Sequence, residues 1–306
     1  MFRLPTLAKL VIVNTGYIIF KVYMRITNKT PKVINGDDTV KYIVTHKCSV
    51  ARFGDGEFLW IFQERAEGDF EKNSSKLSKK LLQVINSEND NLILCIPDVF
   101  KTLKGTKKTA RVYWKTFLTK RGYRVLNLLS NSKKYFDTQF TRPYIDYNYN
   151  SRNFENKFES LKKIWFNRNV LIVEGEKTRF GVASDLLDGT KSVRKIICPS
   201  KNAFERYTQI LNNVRRQATL INDVLVLVSL GPTATVLAFD LSEMGIQTVD
   251  IGHLDVEYNW YKMKAKEKIS VPGKYVNESK VKFIEIDDEL ILQKYYKQII
   301  KVDAWC

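Results

Sequence analysis

Val224-Leu225-Val226-Leu227-Val228-Ser229 runs directly into Leu230-Gly231-Pro232-Thr233, and this junction decides the fold class. The first segment is short, aliphatic and bounded by turn residues, as buried strands are. The second opens a helical pattern over 233–244, which Gly245 follows as a C-cap residue. A strand that turns straight into a helix is the building unit of α/β domains.

The same alternation of apolar runs and helical patterns extends in both directions along the chain. Further strands are predicted at 92–96, 170–173, 195–198 and 248–251, and further helices at 74–87, 154–166 and 203–216. We therefore expect an α/β fold with a mainly parallel sheet and helices on both of its faces. Near the C-terminus, 281–286 is predicted to form another strand, and a helix is predicted from about Asp288.

The composition indicates a folded domain with unevenly placed positive charge. The 306 residues are 44% hydrophobic and 12% aromatic, which excludes a disordered chain. The formal net charge is +17, and two blocks without any acidic residue carry it. Residues 1–36 hold six Lys and Arg, among them Arg3, and residues 99–136 hold eleven. Two basic blocks on an otherwise balanced chain indicate an anionic surface or substrate.

The N-terminal segment over 1–35 is predicted to be a separate basic unit that precedes one main domain over 36–306. Residues 10–20 are largely apolar but too few to span a bilayer, which takes about 20. They fit a helix lying on an anionic membrane surface and equally an amphipathic helix packed on the domain. Residues 29–38, with Pro31 and Asn35-Gly36, are typical of a linker.

The four cysteines, Cys48, Cys95, Cys198 and Cys306, show no metal-site or redox spacing. Cys95 and Cys198 lie in apolar, strand-like runs and are predicted to be buried thiols. Such thiols fit a reducing compartment, so we expect a cytoplasmic protein, peripheral at the inner face of the membrane if its N-terminal helix binds lipid.

Four predicted strands end in polar or glycine-rich sequence. These continuations are 174–181, 199–202, 230–235 and 252–257. In open parallel sheets, ligands bind beyond the carboxyl ends of the strands. The four loops together therefore predict a binding site at one edge of the sheet, although any one of them alone would be an ordinary turn.

A pair of carboxylates precedes these loops in the chain. Asp55 and Glu57 are two residues apart in Ala51-Arg52-Phe53-Gly54-Asp55-Gly56-Glu57-Phe58, so in an extended segment they would project to the same side. Gly54 and Gly56 would let a ligand approach the backbone closely. Two hard oxygen donors beside a bare backbone suit a divalent cation that also binds a diphosphate. Spacing alone also fits a solvated turn.

A second polar cluster is predicted at His253, Asp255 and Glu257, which alternate and would face one way in an extended segment. One imidazole and two carboxylates suit metal binding or acid–base chemistry. Our leading interpretation is a carboxylate that deprotonates an acceptor hydroxyl. A hydrogen-bonded rim of solvated acids is the simpler alternative. Tyr258 and Trp260 follow, and could stack on a sugar or base or pack in the core.

Several basic residues and one helix start are candidates for binding an anion. Free N–H groups around Gly231 and Thr233 would favour a phosphate, unless Thr233 only caps the helix. Lys177 and Arg179 could neutralise a diphosphate or pair with neighbouring acids, and Arg52 is a similar candidate.

These segments, in this order, resemble the bacterial GT-D-fold glycosyltransferases, whose founding examples glycosylate serine-rich repeat adhesins. The shared motifs cover roughly residues 35–265 and are Arg52-Phe53-Gly54-Asp55-Gly56-Glu57, Val173-Glu174-Gly175 with Arg179-x-Gly181, Cys198-Pro199-Ser200 with Asn202-Ala203-Phe204, Leu230-Gly231-Pro232-Thr233-Ala234-Thr235, and Asp250-Ile251-Gly252-His253-x-Asp255-x-Glu257-Tyr258-x-Trp260.

The resemblance implies a Rossmann-like fold and a metal-dependent hexosyltransferase that uses a UDP-sugar, with glucose or galactose as the expected sugar. It implies Mn²⁺, or Mg²⁺, at Asp55 and Glu57, and places His253 and Glu257 near the transferred sugar, with Asp255 as a further candidate base. The residues then expected to bind the donor are Arg52, Gly54, Arg179, Gly181, Gly231 and Thr233.

The expected acceptor is a glycan on a lipid-linked oligosaccharide or a glycoprotein, in polysaccharide or glycoprotein synthesis. The alternative, which rests on net charge alone, is a basic nucleic-acid-binding protein without glycosyl transfer. Residues 99–136 do interleave cations with aromatic side chains, but no nucleic-acid-binding motif accompanies them. We therefore expect no nucleic-acid partner.

Overall fold

One nine-stranded parallel sheet organises the computed structural model, which describes residues 6–65, 70–151 and 153–302. Arg3 and Cys306 lie outside the described residues. The strands are β1 (Lys32–Ile34), β2 (Ser49–Arg52), β3 (Leu92–Ile96), β4 (Lys134–Asp137), β5 (Asn169–Gly175), β6 (Ser192–Cys198), β7 (Val224–Ser229), β8 (Thr248–Asp250) and β9 (Ile299–Val302). Their order across the sheet is β1-β4-β3-β2-β8-β7-β5-β6-β9, which confirms the expected fold class.

Helices cover both faces of this sheet. They are α1 (Thr6–Ile26), α2 (Gly36–His46), α3 (Asp55–Ile61), α4 (Ser75–Asn86), α5 (Lys108–Leu128), α6 (Phe154–Lys162), α7 (Tyr207–Thr219), α8 (Pro232–Glu243), α9 (Leu254–Lys262) and α10 (Glu289–Gln298). Short 3-10 turns lie at Thr138–Thr141, Tyr149–Ser151 and Ala203–Arg206, so the helix predicted over 203–216 begins as a 3-10 turn.

Strand β7 shows why the sequence specifies a sheet buried on both sides. Leu225 and Leu227 pack into the cluster formed with α2, α6 and α9, whereas Val226 and Val228 pack into the cluster formed with α7 and α8. All four side chains are fully buried. A continuous aliphatic run of this kind stabilises a parallel strand because neither of its faces meets water.

Two local predictions are wrong. Residues 281–286 form no strand, and only an isolated bridge joins Pro272 to Ile284. The edge beside β6, which a further strand would need, is occupied by β9. Residues 29–38 are also not a simple linker, because they contain β1, which pairs with β4, and the start of α2, whose N-cap is Asn35.

The N-terminal helix α1 packs on α5. Phe20 and Met24 are buried in this contact, and Gly122 of α5 lies directly against the Phe20 ring. Of the helices in the described ranges, none has the length and apolar character needed to cross a bilayer. The buried thiols predicted at Cys95 and Cys198 are confirmed.

Candidate functional site

A cavity of about 960 Å³ opens at the carboxyl edge of the sheet. Each of the four loops predicted for this edge contributes to its wall, through Gly175, Pro199, Gly231 and His253 among others. The N-terminal end of α5 and the segment after α9 complete the wall, which the sequence patterns did not indicate. The prediction that these loops meet at one site is confirmed.

Asp55 and Glu57 lie in the first turn of α3, which corrects the extended geometry expected from their spacing. Gly54 is the N-cap residue, and its N–H donates a hydrogen bond of 2.7 Å to Glu57 Oε2. Two residues along a helix correspond to about 200°, so the two side chains leave the axis of α3 in different directions. Both nevertheless line the cavity, and the hydroxyl of Tyr113 donates a hydrogen bond to Asp55 Oδ2.

Arg52, at the end of β2, is fixed by Asp250 at the end of the neighbouring strand β8. Its Nη1 lies 3.3 Å from Asp250 Oδ1, and its Nε donates to the Thr138 carbonyl at 3.2 Å. Gly252 has a φ of +47°, and a Cβ there would lie 2.0 Å from Arg52 Nη1. Only glycine therefore fits beside this arginine.

The carboxylates of Glu57 and Asp250 disfavour each other's charge. Burial, and next the charge of Asp250, raise the pKa of Glu57 to about 7. Burial also raises the pKa of Asp250, although Arg52 opposes that shift. A divalent cation would relieve this repulsion, because it favours the ionised form of both groups.

The residues present fit a cation that is shared with a ligand. Among the described residues, no three His, Cys, Asp or Glu side chains converge on one metal position. The protein would therefore supply one or two carboxylates, and a diphosphate and water would supply the remaining oxygens, as is common for Mg²⁺. Gly54 and Gly56 leave the backbone beside these carboxylates uncovered within the cavity wall.

The second predicted cluster also starts a helix, so its members do not face one way. His253 is the N-cap residue of α9, and Asp255 and Glu257 follow in the first turn. His253 lines the cavity with its side chain 35% exposed. Asp255 also borders the cavity, but it is buried and forms an ion pair with the buried Lys274.

Glu257 does not line the cavity, because its carboxylate is bound by neighbouring groups of the protein. Its Oε2 accepts hydrogen bonds from the N–H groups of Tyr144 at 3.1 Å and Ile145 at 3.0 Å. Its Oε1 lies 3.4 Å from Arg142 Nε. Burial raises the pKa of Glu257, while Arg142 opposes the shift. The placement corrects the interpretation of Glu257 as a base that reaches the substrate.

Tyr258 and Trp260, the aromatic residues that follow, are core residues. Both are buried, and Tyr258 packs its ring edge-on against Phe158 of α6. Of the two interpretations that the sequence allowed, packing in the core is therefore the one that the structure supports.

Glu278 and Arg142 are site residues that sequence patterns did not reveal. Glu278 Oε1 lies 2.8 Å from Arg142 Nη2, and its Oε2 lies 3.5 Å from His253 Nδ1. Burial would raise the pKa of Glu278, but the charges of Arg142 and His253 hold it well below its usual range. No local signal could have found this pair, since the two residues are 136 positions apart.

Glu71 is a further carboxylate in the cavity wall. It accepts hydrogen bonds from the N–H of Phe204 at 3.1 Å and from the hydroxyl of Thr233 at 3.5 Å. Burial raises the pKa of Glu71 to about 7. Thr233 is fully buried and does not line the cavity. It is also not the N-cap residue of α8, because that residue is Gly231. Gly231 does line the cavity and contacts the Phe70 ring.

The structure does not bring Arg179 and Gly181 to the cavity. Arg179 instead forms an ion pair with Glu285, which does not line the cavity either. Gly181 has a φ of +74°, and a Cβ there would lie 2.2 Å from the Leu187 side chain, so local packing accounts for this glycine. Lys177, two residues earlier, does line the cavity.

The cavity wall carries many cationic side chains. These are Arg52, Arg65, Lys107, Lys108, Arg142, Lys177, Lys266 and Lys268. Together with the glycine-bordered carboxylates that line the same cavity, they suit a ligand that brings a diphosphate and a cation together.

A family model described as "Glycosyltransferase GT-D fold" matches residues 50–279. The match includes both carboxylate clusters, Arg142 and Glu278, and it does not include α1.

Two streptococcal proteins are similar in sequence. "Glycosyltransferase GlyD" of Streptococcus pneumoniae serotype 4 is 36% identical over 269 residues, which are 86% of this chain and 31% of that protein. "Probable glycosyl transferase Gly" of Streptococcus gordonii is 36% identical over 270 residues, which are 88% of this chain and 38% of that protein. The chain thus spans about a third of the length of these curated relatives.

Solved structures share the fold. One, described as "The highly conserved domain of unknown function 1792 has a distinct glycosyltransferase fold", aligns with a TM-score of 0.84 and 33% identity over 94% of this chain and 99% of that chain. Another, "A New Glycosyltransferase (DUF1792) from Streptococcus sanguinis", aligns with a TM-score of 0.82 and 33% identity over 90% of this chain and 100% of that chain.

Proposed function

The chain belongs to the family of GT-D-fold glycosyltransferases, and from that premise we propose that it transfers a hexose from a UDP-sugar to a glycan acceptor with the help of a divalent cation. The observation that carries the proposal is that Asp55, Glu57 and Asp250 line the same cavity as eight Lys and Arg side chains. A nucleic-acid-binding function would leave this cavity without a role.

A donor diphosphate with a bound cation is the ligand whose charges fit the acidic and basic side chains of the cavity. The carboxylates Asp55 and Glu57 would hold Mn²⁺ or Mg²⁺, and a bound cation would stabilise the charge that develops on the departing diphosphate. Arg52 and Gly54 lie beside this position, and Gly231 and Lys177 complete the wall. We propose glucose or galactose as the sugar, on the resemblance alone.

His253 is the candidate for contact with the reacting sugar or acceptor. It keeps access to the cavity, whereas Asp255 and Glu257 are held by Lys274 and Arg142. Glu278, on the other side of the imidazole, would orient the ring and stabilise a positive charge on it when it accepts a proton. In this assignment, Asp255 and Glu257 position the site and His253 takes part in the chemistry.

We propose a glycan acceptor on a lipid-linked oligosaccharide or a glycoprotein, in polysaccharide or glycoprotein synthesis, and a cytoplasmic location where nucleotide sugars are supplied. The test is hydrolysis of a panel of UDP-sugars, together with thermal shift, in Mn²⁺ and in EDTA. Slow cation-dependent turnover of one donor supports the proposal and identifies the sugar. Absence of both turnover and thermal shift for every UDP-sugar would contradict it.

A further inference from the structure

Helix α1 is apolar on two faces, and the described part of the domain covers only one of them. Phe20 and Met24 are buried on the inner face. On the outer face, six aliphatic side chains are 48–79% exposed: Val11, Ile12, Ile18, Ile19, Val22 and Ile26. A helix whose outer side faces only water carries polar residues there.

The exposed side chains form one continuous surface, which we call the outer face of α1. Their spacing of three, four and seven residues places them on an arc of about a third of the helix circumference. Arg25 borders this arc and is exposed, and no acidic residue occurs before Asp37 in the sequence.

The helix is held firmly, so this face has a fixed orientation. A Cβ at Gly16 would lie 2.3 Å from the Thr119 side chain, so α1 and α5 approach closely. Lys115 Nζ donates to the Asn14 side chain at 2.6 Å, and Lys21 Nζ donates to the Phe100 carbonyl at 2.6 Å. These polar contacts pin both the middle of α1 and its C-terminal half to the domain.

The positive charge around the outer face of α1 favours an anionic partner. The packing of α1 on α5 brings together the two acid-free blocks, 1–36 and 99–136, that are separate in the sequence. Within them, Arg121 and Arg124 share one acidic partner, Glu64, which offsets only one of their two charges. A second copy that docked through the same face would bring like charges together, which is unfavourable. An anionic lipid surface complements both the apolar arc and its basic surroundings.

We propose that the outer face of α1 docks on an anionic lipid bilayer, with the helix lying in the interface. One consequence rests on the proposed function. Asn14 contacts Lys115, and the two residues that precede Lys115 on α5, Tyr113 and Trp114, line the cavity. An acceptor carried on a lipid would therefore be presented beside the cavity.

The test is flotation of the full chain with vesicles of phosphatidylcholine containing about one quarter phosphatidylglycerol, and with vesicles of phosphatidylcholine alone. The variant Ile18→Ser/Ile19→Ser/Val22→Ser removes half of the outer face. The matched control, Leu220→Ser/Leu290→Ser, removes aliphatic side chains that are 70% and 78% exposed elsewhere. We expect wild type and control to float with anionic vesicles, and the triple variant to bind at least about 10-fold more weakly.

UDP-sugar hydrolysis in solution should be the same for all three proteins, because the substituted residues lie outside the cavity. Their thermal unfolding should also be the same, because the substituted side chains are exposed. Wild type that fails to float with anionic vesicles, or a triple variant that floats like wild type, would overturn the proposal. So would a lipid-free wild-type dimer that the triple substitution converts to a monomer. Flotation without any hydrolysis would overturn the proposed function and leave the docking intact.

Discussion

Two of the Asp-x-Glu triplets in the chain occupy equivalent places at the start of a helix, but their carboxylates have different surroundings. Asp55-Gly56-Glu57 starts α3 after β2, and Asp255-Val256-Glu257 starts α9 after the neighbouring strand β8. In α9 both acids have cationic partners, Lys274 for Asp255 and Arg142 for Glu257. In α3 neither acid forms an ion pair with any described residue, and both line the cavity.

The difference shows that spacing does not determine what an acidic pair does. A buried carboxylate needs a counter-charge or hydrogen-bond donors, and at α9 the protein provides them itself. At α3 the charge with the largest effect on the pKa of Glu57 is that of another acid, Asp250, and Arg52 offsets it only in part. A counter-charge for this carboxylate would therefore have to come from a ligand. We infer that the α3 triplet binds the donor and its cation and that the α9 triplet builds the site.

The largest expected effect is on the stability of the α9 region. Glu257→Ala would leave Arg142 without one of its acidic partners and the N–H groups of Tyr144 and Ile145 without an acceptor. We expect a loss of about 3–5 kcal/mol in the free energy of unfolding, measured by urea denaturation. Glu257→Gln, which keeps an acceptor oxygen, should lose less. Full stability of Glu257→Ala together with abolished turnover would mean that Glu257 is catalytic after all.

At α3 the effect should fall on activity. Asp55→Asn removes a carboxylate that we propose as a cation ligand, and we expect donor hydrolysis to fall by about 100- to 1000-fold with the melting temperature unchanged. The matched control is Asp188→Asn, at an exposed position outside the cavity, which should retain full turnover. If Asp55→Asn were unfolded at the assay temperature, the α3 triplet would also be needed for stability, and the contrast with the α9 triplet would be refuted.

A third prediction uses the pKa of Glu57 in the protein without cation. Folding raises this pKa from 4.5 to about 7, so between these pH values the folded state holds a proton that the unfolded state has released. The stabilising contribution is present at low pH and is lost as the pH rises through this window, by roughly 3 kcal/mol. Glu57→Gln should remove that dependence, as urea denaturation in EDTA at several pH values would show. Parallel pH curves for the two proteins would refute this electrostatic assignment.

The smallest effect is expected for Tyr113→Phe. The variant loses the hydrogen bond to Asp55 Oδ2 but keeps the carboxylate and the ring. A single hydrogen bond contributes about 1 kcal/mol, so cation affinity, measured by titration of Mn²⁺ at fixed UDP, should change by only about 5-fold. A loss as large as that of Asp55→Asn would assign the tyrosine a direct role.

The sheet and the meeting of its loops were predictable because they depend on local patterns. Aliphatic runs such as 224–229 mark strands buried on both faces, and the continuation of each strand must lie at the same edge. One missed feature also had a local signal: a Glu three residues after a possible N-cap, as Glu57 is after Gly54, is the glutamate half of a capping box, and it indicates a helix start rather than an extended segment.

The electrostatic partners were not predictable from sequence. Lys274 and Glu278 lie in an irregular segment after α9, and their partners Asp255, Arg142 and His253 come from elsewhere in the fold. Nothing in the periodicity of the chain links these positions. The sequence therefore located the site, but it did not reveal that the Glu257 carboxylate is held by Arg142 and by the N–H groups of Tyr144 and Ile145.

The most direct test of the central claim is calorimetric titration of UDP into wild type and Asp55→Asn, each in Mn²⁺ and in EDTA. We predict that wild type binds UDP in Mn²⁺ and loses at least about 10-fold in affinity in EDTA, and that Asp55→Asn shows the weak affinity in both. Equal binding of UDP by the two proteins, or binding that chelation does not change, would contradict the assignment of the α3 triplet to the donor and its cation.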